Sequence, residues 1–295
     1  MTLAELLAAM QLPFVQRGII TILVLAVAAA FVGLFISFRS MEFVTDGLVH
    51  AVFPGLVIGY VVGGSAGIMP GALIAALITA LVLTLLEQRQ KLASDAAVAV
   101  LLTSAFSLGI VIVSQQESYV SQLESLLFGH LLTVTDTQLW QLIVVAGVAT
   151  LIVILTWRRQ LYRAHDLRGF RVAGFSVFKT DLLLSIAISM LVVAGVQALG
   201  NLLVIALLIV PMAVARQLVS KLFLLVPVAA LVTAIAGFGG LTASVWASFS
   251  HGVNLSAGAA VVLLLLLIYG LVLLGRIPSA LRRSRPSATT GEVAP

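Results

Sequence analysis

Long apolar runs recur along nearly the whole chain, and they restrict what it can fold into more than any other feature. They fall at about residues 18–37, 44–62, 69–86, 95–114, 138–157, 181–198, 200–215, 222–246 and 257–274. Each is close to the roughly 20 residues that cross a bilayer as a helix. Inside hydrocarbon every backbone N–H and C=O must be satisfied within the protein, so such runs are helices and not open strands. The expected fold class is therefore all-α: a polytopic membrane protein with nine transmembrane helices, eight being the next count. The sixth and seventh runs also read as one broken hairpin or a re-entrant element. With 61% hydrophobic and 9% charged residues over 295 positions, and a mean hydropathy of +1.21, the chain lies far from soluble domains, where about a quarter is charged. A single membrane domain over residues 1–295 leaves no room for a separate soluble unit.

The charges give the orientation. If the uncharged, glycine-rich connection at residues 63–68 faces outward, then Arg39, Arg89, Lys91, the group from Arg158 to Lys179, Arg216, Lys221, Arg276, Arg282, Arg283 and Arg285 all face inward. Only Arg17 faces outward, so the N-terminus is expected outside and the C-terminus in the cytoplasm. The net charge of +5 thus reflects topology and not nucleic-acid binding. The start of the chain has an acid and no basic segment before its apolar part, unlike a cleaved signal peptide, and is kept in the mature chain. Residues 282–295, rich in Ser, Thr and Pro, read as a disordered cytoplasmic tail.

Several chemistries are excluded. There is no cysteine, hence no disulfide, thiolate ligand or cysteine nucleophile. No GxxxxGK[ST] phosphate loop, GxSxG or HExxH occurs, so the chain hydrolyses no ATP in the P-loop manner. Any energy source is another subunit or an ion gradient. The longest inner connection, from Arg158 to Asp181, mixes six cations with Leu167, Phe170, Val172 and Phe175. It reads either as an ordinary positive-inside loop or as an exposed amphipathic element that docks a cytoplasmic partner, with His165 in the same surface.

Asp46 and His50 stand within the second run, four residues apart and so on one helical face. Ionisable groups inside a span are functional-site candidates by default. Pro54, which has no N–H to donate, should kink the helix just beyond them. The pair can hold one cation through oxygen and nitrogen ligands, which suit manganese, iron(II) or zinc and not copper(I). It can equally be a structural pair, with Asp46 accepting a hydrogen bond from the ring. Two ligands are an incomplete shell, which a symmetric dimer would double. His130 and His251 read as solvated or capping histidines in outer connections, and Asp95 as a helix cap. Gln197 and Asn201, around Gly200, read as pore-lining or as interhelical hydrogen-bonding groups.

Three segments together resemble the permease subunits of metal-ion ABC transporters, the manganese/zinc/iron family. DGLVHAVFPGLVIG (46–59) is similar to its D-x-x-S-H-A-x-L-P-G segment, with Val49 in place of serine and Phe53 in place of leucine. LESLLFGHLLTV (123–134) resembles its L-F-G-x-[IL]-L-x-V segment. GNLLVIALLIVPMAVARQL (200–218) resembles G-x-L-L-[VI]-x-A-L-L-[VI]-x-P-A-x-x-A-R, with Met212 where alanine is common. Asn254 and Ser256 replace an acid and a proline expected in the last outer segment.

The resemblance implies a bacterial inner-membrane importer with the fold of vitamin, siderophore and metal permeases. In it, a permease homodimer in membrane lipid works with two cytoplasmic ABC ATPase subunits and an extracytoplasmic metal-binding protein. It carries the intramembrane metal residues onto Asp46 and His50. It carries the ATPase-coupling loop onto Asp166, Leu167, Arg168, Gly169, Phe170, Arg171, Val172, Ala173, Gly174, Phe175 and Ser176. No permanently bound cofactor is implied: the divalent manganese, zinc or iron ion is cargo, and the chain itself is not an enzyme. The rival readings are a permease for cobalamin or iron-siderophore complexes, against which the bare ligands Asp46 and His50 speak, and a gradient-driven secondary metal transporter.

Overall fold

The computed structural model describes residues 10–88, 94–114, 129, 131–251 and 255–283. Helices follow one another with short breaks: α1 (Pro13–Phe38), α2 (Glu42–Ala51), α3 (Phe53–Gln88), α4 (Ser94–Val113), α5 (Asp136–His165), α6 (Leu167–Val172), α7 (Val177–Leu218), α8 (Leu222–His251) and α9 (Ala257–Arg283). Among the described residues, six helical stretches are long and apolar enough to cross a membrane: Pro13–Phe38, Glu42–Gln88, Asp136–His165, Val177–Leu218, Leu222–Ser248 and Ala257–Arg276. Nine separate runs were expected. Two of the three fewer arise at glycines where two runs join into one helix, and the third is the 95–114 run, whose apolar helix Val98–Val113 is shorter than a full span.

Gly64 (φ 59, ψ −149) and Gly200 (φ 77, ψ 163) adopt conformations that L side chains avoid, and the chain doubles back at each without a loop. In α3 the two arms meet backbone to backbone. A Cβ on Gly59 would lie 2.3 Å from the Gly67 carbonyl oxygen, and one on Gly71 2.4 Å from that of Gly55. In α7 a Cβ on Gly195 would meet Val204 at 2.6 Å, a contact impossible in a straight helix, where nine residues span about 13 Å. The sixth and seventh runs are thus a broken hairpin, as one of the two readings had it.

Local signals set the other ends. Pro13 opens α1, where a missing N–H costs nothing, and Ser40 (φ 52) turns the chain out of it. Thr135 and Gln138 form a reciprocal capping box at the start of α5. Asp95 lies in the first turn of α4, where a carboxylate suits the helix dipole. The basic stretch from Arg158 to His165, expected in a connection, continues α5, because Trp157 packs edge-on against Phe31 and Phe35 and Gln160 is fully buried. α9 extends through Arg283, so the first two residues of the expected tail are helical.

α7 is the hub, touching α1, α2, α3, α5, α8 and α9. Its most apolar window is 72% buried and that of α1 67%, against 28% for α5 and for α9, so the former pair is the centre and the latter face outward. Between helices in lipid, close packing and not water exclusion drives association, and small residues permit it. Gly33 of α1 does this against α7, where a Cβ would sit 2.6 Å from the Leu208 carbonyl oxygen. At one end of the bundle, Arg17 of α1 pairs with Asp136 of α5; at the other, the basic end, lie Arg39, Arg163 and Arg216.

Gly59→Val should therefore force the α3 arms apart, because the atom it meets is backbone and cannot yield. A loss on the order of 1–3 kcal/mol, read as a lower thermal unfolding midpoint in detergent, is expected. Gly63→Ala, with nothing within 4 Å, should leave the midpoint unchanged.

Candidate functional site

The Asp46–His50 pair lies on α2, the ten-residue helix that ends where Pro54 begins to act. Residue 54 offers no N–H to the His50 carbonyl four positions back, and the helix breaks at Val52. His50 Nε2 lies 3.6 Å from Asp46 Oδ1, too far for a hydrogen bond. The structural alternative, Asp46 accepting from the ring, is thus not formed. The separation instead suits one shared cation: ligand bonds of about 2.1 Å to each atom would subtend an angle of about 120°.

α4 walls this site. Gly47 admits Val98 of α4, where a Cβ would meet Val98 Cγ1 at 2.5 Å. The Phe106 ring stands edge-on to His50 at 5.3 Å and tilts against Phe53 at 5.2 Å, and Phe53 itself fills the notch at Gly109. His50 Nδ1 is buried with no hydrogen-bond partner among the described residues. The side chains of His50 and Asp46 remain 21% and 35% exposed, so the ligand face is open towards the exterior of this chain. Among the described residues no group of three or more His, Cys, Asp or Glu comes together, so Asp46 and His50 stand there as a pair.

Sequence reasoning missed the most heavily buried charges. At the basic end Asp181, first seen only as the start of the sixth run, is shared by two arginines from distant parts of the chain. Arg39 Nη2 donates to its Oδ1 at 2.6 Å, and Arg163 donates through Nε to Oδ1 at 3.1 Å and through Nη2 to Oδ2 at 3.2 Å. Arg39 Nη1 also donates to Gln160 Oε1 at 3.3 Å, and Gln160 Nε2 to the Thr180 carbonyl at 2.9 Å. The Arg39 and Asp181 side chains are 6% and 7% exposed. Burial lowers the Arg39 pKa, and the Asp181 charge opposes that. An acid among so many inner arginines was the one available signal.

The expected coupling segment, Asp166–Ser176, is an ordered step between α5 and α7. Asp166 Oδ1 accepts from Gly169 N at 2.8 Å and starts α6, Gly174 (φ 79) turns the chain, and the Ser176 hydroxyl accepts from Lys179 N to start α7. Its apolar residues do not all face outward, contrary to the amphipathic reading. Phe170 is fully buried, stacked on Phe175 at 5.1 Å and edge-on to Tyr162, whereas Val172 is 89% exposed. A cleft of 610 Å³ joins this segment to the ion network through Glu87, Arg163, Leu167, Phe175 and Asp181. His165, expected within a loop, ends α5 edge-on to Phe38.

Around Gly200, the Asn201 side chain is 1% exposed, and Asn201 Oδ1 and Gln197 Nε2 have no hydrogen-bond partner among the described residues. Gly129 (φ 70) lies against this reversal, where a Cβ would come within 2.2 Å of Leu199 C. Segment 200–218 therefore meets the described part of segment 123–134, and α7 also touches α2 and α3, which carry segment 46–59. His130 lies outside the described residues, as do Arg89, Lys91 and residues 284–295; His251 is the last residue of α8.

A family model described as the ABC 3 transport family matches residues 11–275. The chain belongs to that family. A Listeria monocytogenes protein named "Manganese transport system membrane protein MntC" is 30% identical over 260 residues, 88% of this chain and 90% of that protein. The Yersinia pestis "Chelated iron transport system membrane protein YfeD" is 27% identical over 224 residues, 76% of this chain and 74% of that one. The solved structure "PsaBC from Streptococcus pneumoniae in complex with Fab" superposes with a TM-score of 0.79 at 26% identity, covering 92% of this chain and 95% of the other. The long interhelical contacts of this ABC 3 family member thus belong to an architecture also found in a solved relative.

Removing one partner from a buried ion pair strands the other charge, at a cost of about 3–5 kcal/mol. Asp181→Asn and Arg39→Gln should each sharply lower the yield of monodisperse protein and its unfolding midpoint. Arg17→Gln, breaking a pair whose Asp136 side chain is 83% exposed, should change neither measurably.

Proposed function

We propose that this ABC 3 family chain is the membrane permease of an ATP-driven importer of divalent transition-metal ions. The observation that carries the reading is the open Asp46–His50 pair, 3.6 Å apart on a kinked helix, in a family whose relatives are named for manganese and iron transport. Oxygen and nitrogen donors without thiolate suit manganese, zinc or iron(II). A cobalamin or siderophore complex would have no need of bare ligands, which disfavours that rival.

With α3 and α7 each supplying two antiparallel arms and α4 a further pass, the chain crosses the bacterial inner membrane nine times. The basic end, holding Arg39, Arg163 and Arg216, faces the cytoplasm, with the N-terminus outside and the C-terminus inside. A second copy of the chain completes the metal shell with its own aspartate and histidine, at an interface within membrane lipid. An extracytoplasmic binding protein delivers the ion. Two cytoplasmic ATPases bind around α6, hydrolyse ATP and alternate access to the two sides. The permease itself catalyses no reaction and holds no permanent cofactor. Two ligands per chain make a loose shell, and a pore needs one, because tight binding would oppose release.

Asp46→Asn and His50→Ala, each co-expressed with the ATPase, should reduce metal uptake to background with the complex still assembling. Near-normal uptake in both would remove the pair from the pathway, and uptake by the chain with no ATPase would sink the ATP-driven reading. The same assay across manganese, zinc and iron(II) identifies the cargo. At the docking step, Val172→Asp should abolish co-purification of the ATPase without lowering the unfolding midpoint, because that side chain packs on little else. Phe170→Ala, by contrast, should lower the midpoint itself, by about 3–5 kcal/mol of stability for a buried phenylalanine.

A further inference from the structure

A second cleft at the basic end, of 670 Å³, lies between the last turn of α1, the end of α5 and the α7–α8 junction. It presents Arg158, His165 and Arg216, and among the described residues no acid lines it. Two of the three are held in place. Arg216 Nη1 donates to the Ser37 hydroxyl at 2.8 Å and its carbonyl at 3.1 Å, with the guanidinium over the Phe38 ring. His165 Nδ1 lies 3.1 Å from the Leu161 carbonyl, which leaves Nε2 for another partner. Arg158 has no hydrogen-bond or ion-pair partner among the described residues, while its neighbour Arg159 turns away to the Phe175 ring. α8 begins at Leu222 in the same cleft, where the positive end of the helix dipole favours an anion.

Most of the remaining lining is apolar, from Phe38, Leu161, Val219, Leu222 and Leu225, with the hydroxyls of Tyr162 and Ser220 among them. That surface continues along α5. Leu151, Leu155, Arg158, Tyr162 and His165 follow spacings of four and three residues and share one helical face. Leu155 is 76% and Leu151 53% exposed, about one and two turns from Arg158 into the apolar part of the helix. A cationic pocket at the end of an exposed apolar stripe on a spanning helix has the two-part chemistry of a phospholipid. A free phosphate would use the cations and leave the stripe bare. A soluble protein would not follow the stripe into hydrocarbon.

We propose that this cleft binds an anionic phospholipid, its phosphate held by Arg158 and Arg216 and an acyl chain lying along Leu155 and Leu151. The site depends on membrane embedding and not on the metal reading. Because Tyr162 both lines the cleft and packs against Phe170 and Phe175, the lipid braces the α6 segment from its membrane side.

The test is native mass spectrometry of the purified full-length chain, equilibrated with phosphatidylglycerol and phosphatidylcholine of identical acyl chains. Selective retention of phosphatidylglycerol is expected, with the preference falling about fivefold in Arg158→Gln and the unfolding midpoint unchanged, since that exposed side chain has no hydrogen bond or ion pair among the described residues to lose. Equal retention of the two lipids by the wild type, or an unaltered preference in Arg158→Gln, would overturn the proposal. So would displacement of phosphatidylglycerol by millimolar inorganic phosphate, which would make the cleft a free-anion site. Loss of ATPase co-purification in Arg158→Gln with lipid selectivity intact would make it a protein contact instead.

Discussion

Asp181 is the point on which the basic end depends. A single carboxylate, nearly sealed from solvent, joins the ends of α1 and α5 to the start of α7 through two guanidinium groups. Buried ions are costly to desolvate, and such a cluster holds only when its geometry is good and its remaining donors and acceptors are filled. Gln160 fills them here, accepting from Arg39 and donating to the backbone beside Asp181. The cluster therefore specifies where three helices end more than it adds net stability. It also borders the cleft that leads to α6, so the segment proposed to meet the ATPase rests on the most firmly registered part of the bundle.

The opposite design governs the pair proposed to meet the metal. Asp46 and His50 are close enough to share an ion and too far apart to satisfy one another. The proline that breaks their helix and the glycines that let α4 and the α3 return arm approach keep the surroundings compact while the two side chains stay at ion-pair distance without a hydrogen bond. One end of the molecule thus holds its charges in closed contacts, while Asp46 and His50 stay partly exposed, as the proposed passage of an ion requires.

Much of this was legible in the sequence because the bilayer leaves few alternatives. Apolar runs must be helices, so the all-α architecture followed directly, and the four-residue spacing of Asp46 and His50 placed them on one face before any coordinates. Where helices end was harder to read. The run near 138–157 was cut at its first arginines, yet α5 goes on to His165 because Trp157 and Gln160 find partners on α1 and α7. The Arg39–Asp181 contact spans 142 positions, and no local pattern encodes it. Phe170 and Val172 look alike in composition and take opposite fates, one fully buried and one exposed, because Asp166 fixes the helical phase of α6. Gly64 and Gly200 were visible as glycines, but that each would replace a loop outright depended on the close approach of the arms, backbone to backbone in α3 and Gly195 to Val204 in α7.

That contact has a mechanical meaning. At Gly59, Gly67 and Gly71 the two arms of α3 touch through backbone atoms, with no side chain between them to act as a bearing or a cushion. Neither arm can slide or roll on the other without a clash of carbonyl oxygen against Cα. The hairpin is a rigid strut, about 36 Å along its return arm. Its free end, at Glu87 and Gln88, borders the cleft beside α6, and its first arm continues from the helix that carries Asp46 and His50. A tilt imposed at one end of this strut is delivered at the other as displacement, with little lost to compression.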